Sequence, residues 1–266
     1  MTLEWIVFLL LLGIMVGFLA GLLGVGGGGV LVPVFTFVFL KMGASGDNVV
    51  HIALGTSMAC IVVTSCSSLR AHNRNGAVRW DVVRVMSAGV IIGSFVATYF
   101  VSFIDSSLLA IVFSVFMLWT AIKLITSQDL VRQEQSLNRV KMFSVSNGIG
   151  AMSTLVSIGG GSLTVPYLVK NNIDIKKAIG TSAAIGVPIS VTASLGFLIN
   201  GWEMESGLDH TFGYIYWPAV ILVSTTSFLF APLGAKSAQY LPRVVLKQIF
   251  AGLLVLLSVK MAMLVL

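Results

Sequence analysis

Two glycine runs are the part of this sequence whose residue types and spacing could do chemistry. Residues 26–29 lie within GVGGGGVLVP, and residues 159–161 lie within SIGGGSLTVP. Consecutive glycines interrupt a helix, at a cost of about 1 kcal/mol each relative to alanine. Where a helix restarts after such a break, unpaired N–H groups and the positive end of the helix dipole point at the gap. The runs therefore predict that the backbone binds a small anion.

Hydroxyl side chains accompany both runs. A serine follows the second run directly, and each run is followed further along the chain by a Gly-Thr-Ser element. Hydroxyl donors suit an oxyanion and require no fixed cation. Pro33 and Pro166, one after each run, are expected to help fix the geometry of the helix restart. The candidate anion-binding residues are Gly26, Gly27, Gly28, Gly29, Thr56, Ser57, Gly159, Gly160, Gly161, Ser162, Thr181 and Ser182.

A structural role is the alternative for each of these residues. Small residues let membrane helices pack closely, and hydroxyls often bond back to their own helix. The GxxxGxxxG stripe of Gly13, Gly17 and Gly21 is assigned to packing alone. Its counterparts in the second half, Ser146, Gly150 and Thr154, are small as well.

The sequence lacks the residues that nucleotide binding, metal binding or catalysis would need. Gly24, Gly26 and Gly29 fit the dinucleotide pattern G-x-G-x-x-G, but a long apolar helix precedes them where that motif requires a strand. No Walker A sequence, H-E-x-x-H or cluster of metal ligands occurs, so no cofactor and no metal are expected, and an enzyme is disfavoured. His51 is the ionisable side chain considered for proton coupling, although solvation at the membrane interface explains it more simply.

Composition places these elements in a bilayer. Hydrophobic residues make up 57% of the chain and charged residues 10%, whereas soluble domains carry about 25% charged residues. The sixteen Lys and Arg residues lie in short breaks between apolar runs, which fits topology signals and excludes a nucleic-acid partner. The prediction is an all-α, polytopic integral membrane protein of the plasma membrane. Its apolar blocks are residues 3–40, 49–69, 82–103, 108–125, 142–169, 178–199, 212–235 and 244–266.

The two halves repeat. Residues 26–33 match residues 159–166, the element ALGTS matches AIGTS, and Trp80 matches Trp217. The chain is therefore divided into a first repeat (1–126), a cytoplasmic linker (127–141) and a second repeat (142–266). Each repeat comprises a glycine-interrupted helical hairpin followed by three transmembrane helices.

Charge predicts how the repeats are oriented. Four arginines surround Asn75 in the first half, whereas the matching loop at Asn200 carries Glu203, Glu205 and Asp209. Because cytoplasmic loops accumulate Lys and Arg, the first loop is predicted inside and the second outside, which makes the repeats inverted. Both ends of each glycine-interrupted block then lie on one side, so the block must enter and return. The length of the second arm of each block does not settle whether that arm crosses the membrane fully.

The doubled glycine-proline motif, each followed by a Gly-Thr-Ser element, resembles the TauE/SafE family of sulfite exporters. The likeness extends over nearly the whole chain, including the closing LPRVVLKQIFAGLLVLLSVK. The resemblance implies a secondary transporter of the bacterial inner membrane that exports sulfur-containing anions such as sulfite or organosulfonates. It carries over only to the glycine runs, the two prolines and the Gly-Thr-Ser elements.

The functional prediction is thus alternating access around an anion site near the membrane midplane. Coupling to protons or to the membrane potential is expected, without an assigned residue. A passive anion channel is the alternative, because the same inverted motifs could build a pore.

Overall fold

The computed structural model describes residues 2–24, 27–126, 138–204, 206–240 and 242–265, and most of these residues are helical. The helices are α1 (Leu3–Leu23), α2 (Gly28–Lys41), α3 (Val49–Arg74), α4 (Trp80–Val101), α5 (Ser106–Thr126), α6 (Arg139–Leu155), α7 (Gly161–Lys170), α8 (Ile175–Asn200), α9 (Trp217–Tyr240) and α10 (Arg243–Val265). The all-α class is confirmed. Most of the linker lies outside the described residues.

One predicted boundary is wrong. The seventh apolar block was expected to begin at residue 212, but a short antiparallel pair of strands, β1 (Thr211–Phe212) and β2 (Ile215–Tyr216), precedes α9. Gly213, at a positive φ of 56°, turns the chain between the strands. Aromatic and β-branched residues around a glycine turn favour such a hairpin over a first helical turn.

The lengths of the helices distinguish those that can span the membrane from the shorter second arms of the two hairpins. Among the described residues, α1, α3, α4, α5, α8 and α9 are long and apolar enough to cross a membrane. The 14 residues of α2 and the 10 residues of α7 extend only about 21 Å and 15 Å at 1.5 Å per residue. Since the hydrocarbon layer is about 30 Å thick, the second arm of each hairpin is too short to cross it.

The main contacts between helices follow the same pattern when the halves are exchanged. α3 and α8 pack against each other, α9 covers α3, and α4 covers α8. α1 packs on α9 and α6 packs on α4 in the same way, while α5 pairs with α10. This exchange is what a duplicated unit should produce, and it brings α3 and α8 together next to both glycine runs.

The small-residue stripes make the close contacts predicted for them. A Cβ atom at Gly17 would lie 2.5 Å from Cα of Ser227 on α9. A Cβ atom at Gly150 of α6 would likewise lie 2.7 Å from Cα of Val90 on α4. These glycines let backbones touch, so their assignment to packing is confirmed.

The loops gather at two ends of the molecule. At one end, Asn75 and Ala77 share a hollow with Lys176, and Arg70 shares another with Lys236. We call it the basic end. The opposite, acidic end holds the loops 42–48, 102–105 and 201–216, which are joined by two hydrogen bonds. These bonds run from the Ser106 hydroxyl to the Asp47 carbonyl (2.6 Å) and from the Ser45 N–H to the Ser206 carbonyl (3.4 Å).

Candidate anion site

Both glycine runs break the helix, the first between α1 and α2 and the second between α6 and α7. We call these the first break and the second break. The backbone turns left-handed at Gly24 (φ 67°) and Gly27 (φ 82°) in the first break. It does so at the matching Ser157 (φ 46°) and Gly160 (φ 80°) in the second. The repeat seen in the sequence is therefore repeated in the backbone, while the predicted site residue Gly26 lies outside the described residues.

The two breaks touch each other. A Cβ atom at Gly28 would overlap the carbonyl oxygen of Ser157 and lie 2.6 Å from Cδ1 of Ile61 on α3. The Ser157 hydroxyl donates a hydrogen bond of 2.9 Å to the carbonyl of Leu54, about two helical turns before Ile61. The contact between the breaks is thus fixed against α3, and it requires a residue without a side chain at position 28.

Both short arms begin with unpaired N–H groups. In α2 and in α7 the third and fourth N–H groups bond to the carbonyl of the preceding glycine, Gly27 or Gly160, at 2.7–3.2 Å. The first two N–H groups of each helix make no hydrogen bond to any described residue, and they belong to Gly28, Gly29, Gly161 and Ser162. Such groups carry the positive end of the helix dipole and can bind an anion.

The threonines of the two Gly-Thr-Ser elements make structural contacts. Thr56 Oγ1 accepts a hydrogen bond of 3.0 Å from the N–H of Tyr216, directly before α9. Thr181 Oγ1 accepts one of 3.0 Å from the N–H of Arg79, directly before α4. Each threonine therefore holds the start of a helix from the other half, a role that sequence reasoning did not foresee.

The serines of the same elements differ from each other. Ser182 Oγ donates to the carbonyls of Ile179 (2.8 Å) and Gly24 (3.1 Å), so it fastens the first break to α8. Ser57 Oγ is fully buried and has no hydrogen-bond partner among the described residues. Ser57 lies between Leu54, which bonds Ser157, and Ile61, which contacts Gly28, so it is on the side of α3 that both breaks touch.

Two more unpartnered hydroxyls start the short arm α7. Ser162 Oγ and Thr164 Oγ1 are buried and make no hydrogen bond to any described residue. A buried hydroxyl without a partner costs free energy unless a ligand or water satisfies it. Ser162 was predicted from its place after the glycines, whereas Thr164 was missed, although it lies within the first turn of the restarted helix.

A polar stripe continues from Ser57 along α3 toward the basic end. Ser65, Ser68 and His72 follow it at helical spacing, and all are at most 3% exposed. Ser65 Oγ lies 3.0 Å from where a Cβ of Gly186 would be, beside the carbonyl of Gly159 in the second break. This stripe was not predicted, although its signal is in the sequence, because Ser65, Ser68 and His72 recur at steps of three and four, eight residues after Ser57.

The stripe ends at a hollow of about 350 Å³ at the basic end, lined by His72, Asn75, Ala77, Lys176, Ile179 and Ala238. His72 Nε2 is hydrogen-bonded to the carbonyl of Gly21 at 3.0 Å, and Ile179 contacts Gly24. The hollow therefore reaches the wall of the first break. The Lys176 ammonium gives it a positive charge, which favours an anion.

The acidic end is covered by the loop 201–216. Tyr214 stacks on His51 with ring centroids 5.1 Å apart, and Tyr216 packs edge-on against Phe39 at 5.3 Å. Burial and the Asp209 carboxylate raise the pKa of the Tyr216 phenol. His51 is 3% exposed and bonded to the Val101 carbonyl at 3.1 Å. The expectation that solvation explains this histidine is therefore wrong, because the loop that buries it was not visible in the sequence pattern.

The prolines lie deeper in the short arms than expected. Both are inside a helix, because α2 starts at Gly28 ahead of Pro33, and α7 starts at Gly161 ahead of Pro166. Each lacks the N–H that would bond the carbonyl four residues earlier, at Gly29 or Ser162. The prolines thus loosen the second turn of the restarted helix, while the restart itself is made by the left-handed glycines.

Known proteins are similar to this chain over most of its length. The model of the family "Sulfite exporter TauE/SafE" matches residues 9–261. A "Probable membrane transporter protein" of Haemophilus influenzae is 33% identical, covering 97% of this chain and 98% of that protein. Relatives with the same description are 28% identical in Methanocaldococcus jannaschii (87% and 85% covered) and 25% identical in Bacillus subtilis (94% and 98% covered). No solved structure matches the chain.

The helical architecture, the paired helix breaks and these relatives agree with one another. The chain is a multi-pass integral membrane protein and a membrane transporter, and it belongs to the sulfite exporter TauE/SafE family.

Proposed function

We propose that this protein is a secondary transporter that exports small sulfur-containing anions, such as sulfite or organosulfonates, through a site between the two helix breaks. The observations that carry the proposal are the contact of Gly28 with Ser157, the unpaired N–H groups that begin both short arms, and the buried hydroxyls without a described partner. An oxyanion offers several acceptor oxygens to such donors, and each satisfied donor removes a desolvation cost. The family description names sulfite, and it supports this substrate class.

The hydroxyl groups give the site its polarity without a fixed charge. Ser57, Ser162 and Thr164 are neutral donors, and the only described cation lining the adjoining hollow is Lys176. A site without a permanent cation binds an anion weakly enough to release it on the other side. This property suits a carrier better than a storage site.

Inverted repeats would supply the moving parts. α3 runs from the acidic end to the basic end, and α8 runs in the opposite direction, because Lys176 at its start lies in the basic-end hollow. This antiparallel pairing supports repeats of opposite orientation, which in secondary transporters rock about a central site. With the basic end in the cytoplasm, the hollow below the first break is the cytoplasmic entrance. The loop 201–216 then closes the outer side and must move when the substrate leaves.

Export of an anion from a cell with a negative interior needs little further energy. The membrane potential assists each exported negative charge by about 2.3 kcal/mol per 100 mV. We propose that the membrane potential drives the transport and that no coupled proton is required.

Reconstituted vesicles test this function. Purified protein in liposomes loaded with sulfite should release it in a saturable manner, faster when a potassium diffusion potential makes the loaded side negative. Unlabelled sulfite outside should accelerate the efflux of labelled sulfite, because a carrier exchanges its substrate. Organosulfonate should compete, while chloride should not.

Two results would overturn the proposal. Flux that does not saturate and shows no exchange would identify a passive anion channel. Sulfite flux that is unchanged in the double variant Ser57→Ala and Ser162→Ala, with the protein folded, would remove the site from between the breaks. Ser144→Ala in α6, outside the breaks and the hollow, is the matched control and should transport normally.

A further inference from the structure

A second hollow at the basic end has no part in the proposed transport path. It has a volume of about 440 Å³ and lies between the end of α3 and the second half of α9. Arg70, Arg74 and Lys236 line it together with Ser67 and Tyr240. None of the three cations is within ion-pair distance of a described carboxylate, since the ion pair found in the described residues joins Arg79 and Asp81.

The hollow opens toward lipid. Residues of α9 on its side form one exposed stripe, in which Ile221 is 62%, Leu229 63% and Leu233 53% exposed. The stripe continues past Phe228 into the hollow and ends at Tyr240, which is 77% exposed. An apolar wall that leads into three cations and an interfacial tyrosine matches an acyl chain joined to a negatively charged headgroup.

The other half of the protein contains the same hollow without the charges. A cavity of about 240 Å³ at the acidic end is lined by Phe95, Tyr99, Ile199 and neighbouring residues. In the repeat, Ile199 matches Arg74, Tyr99 matches Lys236, and Leu195 matches Arg70. The duplicated fold thus makes one groove at each end, and only the groove at the basic end carries cations.

We propose that the hollow lined by Arg70, Arg74 and Lys236, which we call the basic groove, binds the phosphate headgroup of an anionic phospholipid. Two guanidinium groups and an ammonium group supply directional donors for the phosphate oxygens, and the α9 stripe receives the acyl chain. None of the residues of the two breaks lines the groove, which borders the first hollow at Asn75.

Quenching by brominated lipids measures the binding directly. In the variant Tyr240→Trp, phosphatidylglycerol brominated on its acyl chains should quench the added fluorescence more strongly than brominated phosphatidylcholine at the same mole fraction. The preference should fall about fivefold for each cation removed. The variants for this test are Arg70→Leu, Arg74→Ile and Lys236→Tyr, which copy the matching residues of the other repeat.

The controls separate the groove from diffuse surface charge. Arg84→Leu removes one exposed charge outside the groove, and it should leave the preference unchanged. The proposal would be overturned if Arg84→Leu reduced the preference for phosphatidylglycerol as much as the groove variants do. It would also be overturned if the two brominated lipids quenched equally in Tyr240→Trp with all cations present. Displacement of the brominated phosphatidylglycerol by millimolar inorganic phosphate or sulfite would assign the groove to a free anion instead. Because the comparison of lipids needs none of the charge variants, poor folding of those variants leaves the test intact.

Discussion

The two helix breaks have the same backbone but are held by different side chains. The first left-handed residue of the first break is Gly24, and Ser182 of α8 donates a hydrogen bond to its carbonyl. The first left-handed residue of the second break is Ser157, and its own hydroxyl donates to the Leu54 carbonyl of α3. Leu54 is the counterpart of Ile179, whose carbonyl Ser182 also bonds.

This difference leaves one hydroxyl group without a hydrogen-bond partner. Because Ser157 occupies the Leu54 carbonyl, Ser57 lacks the bond that its counterpart Ser182 makes. Unpaired N–H groups begin both short arms, whereas the unpartnered hydroxyls of the proposed site are those of Ser57 on α3 and of Ser162 and Thr164 on α7. The exchange of glycine for serine between the two breaks accounts for this asymmetry of the proposed site.

The largest effect is expected where the breaks touch. Gly28→Ala should separate them, because its Cβ would overlap the Ser157 carbonyl. Overpacking of this kind costs about 1–3 kcal/mol, and transport should be nearly abolished. Thermal unfolding in detergent and sulfite flux in liposomes measure the two effects. Gly148→Ala, whose Cβ would have no neighbour within 4 Å, is the matched control. Normal flux in Gly28→Ala would show that the contact between the breaks is dispensable.

Substitution of Ser182 should affect stability, whereas substitution of Ser57 should affect transport. Ser182→Ala leaves the Gly24 carbonyl without its donor and should destabilise the protein by about 1 kcal/mol. Ser57→Ala removes a hydroxyl without a partner, so stability should be unchanged or slightly higher while the KM for the anion rises several-fold. Unfolding midpoints and saturation curves for both variants make the comparison. A loss of stability in Ser57→Ala with an unchanged KM would assign both serines the same structural role.

The sequence predicted the parts that depend on composition and repetition. The apolar blocks, the paired breaks at the glycine runs and the packing stripe through Gly17 follow from local patterns that any membrane helix must obey. The sequence could not distinguish the unpartnered Ser57 from the bonded Ser182, or predict the hydrogen bond that Thr56 accepts, because these differences depend on which carbonyl or N–H the other half presents. The burial of His51 was missed for the same reason.

The α7 hydroxyls allow a smaller test of the asymmetry. Thr164→Val keeps the shape of the side chain and removes a buried hydroxyl that has no described partner. Stability should change by less than about 1 kcal/mol, and the KM for sulfite should rise about as much as in Ser57→Ala. Thr36→Val in α2 is the matched control, because its hydroxyl bonds back to the Val32 carbonyl at 2.8 Å in the short arm of the other half. A rise in KM with Thr36→Val, and none with Thr164→Val, would mean that the hydroxyl groups that bind the anion lie in α2, beside the first break.

The smallest effect on stability is expected from making the second break resemble the first. Ser157→Gly relieves a left-handed non-glycine residue, worth about 1 kcal/mol, and loses the bond to Leu54, worth about the same. The unfolding midpoint should therefore hardly move. Ser57 could then donate to the Leu54 carbonyl, as Ser182 does to that of Ile179, so the KM should rise as in Ser57→Ala. In the double variant Ser157→Gly and Ser57→Ala the two increases should not add, since both remove the same free hydroxyl. Additive increases in KM would mean that Ser157 and Ser57 act on the anion separately, and that the exchange of serine and glycine is not the origin of the asymmetry.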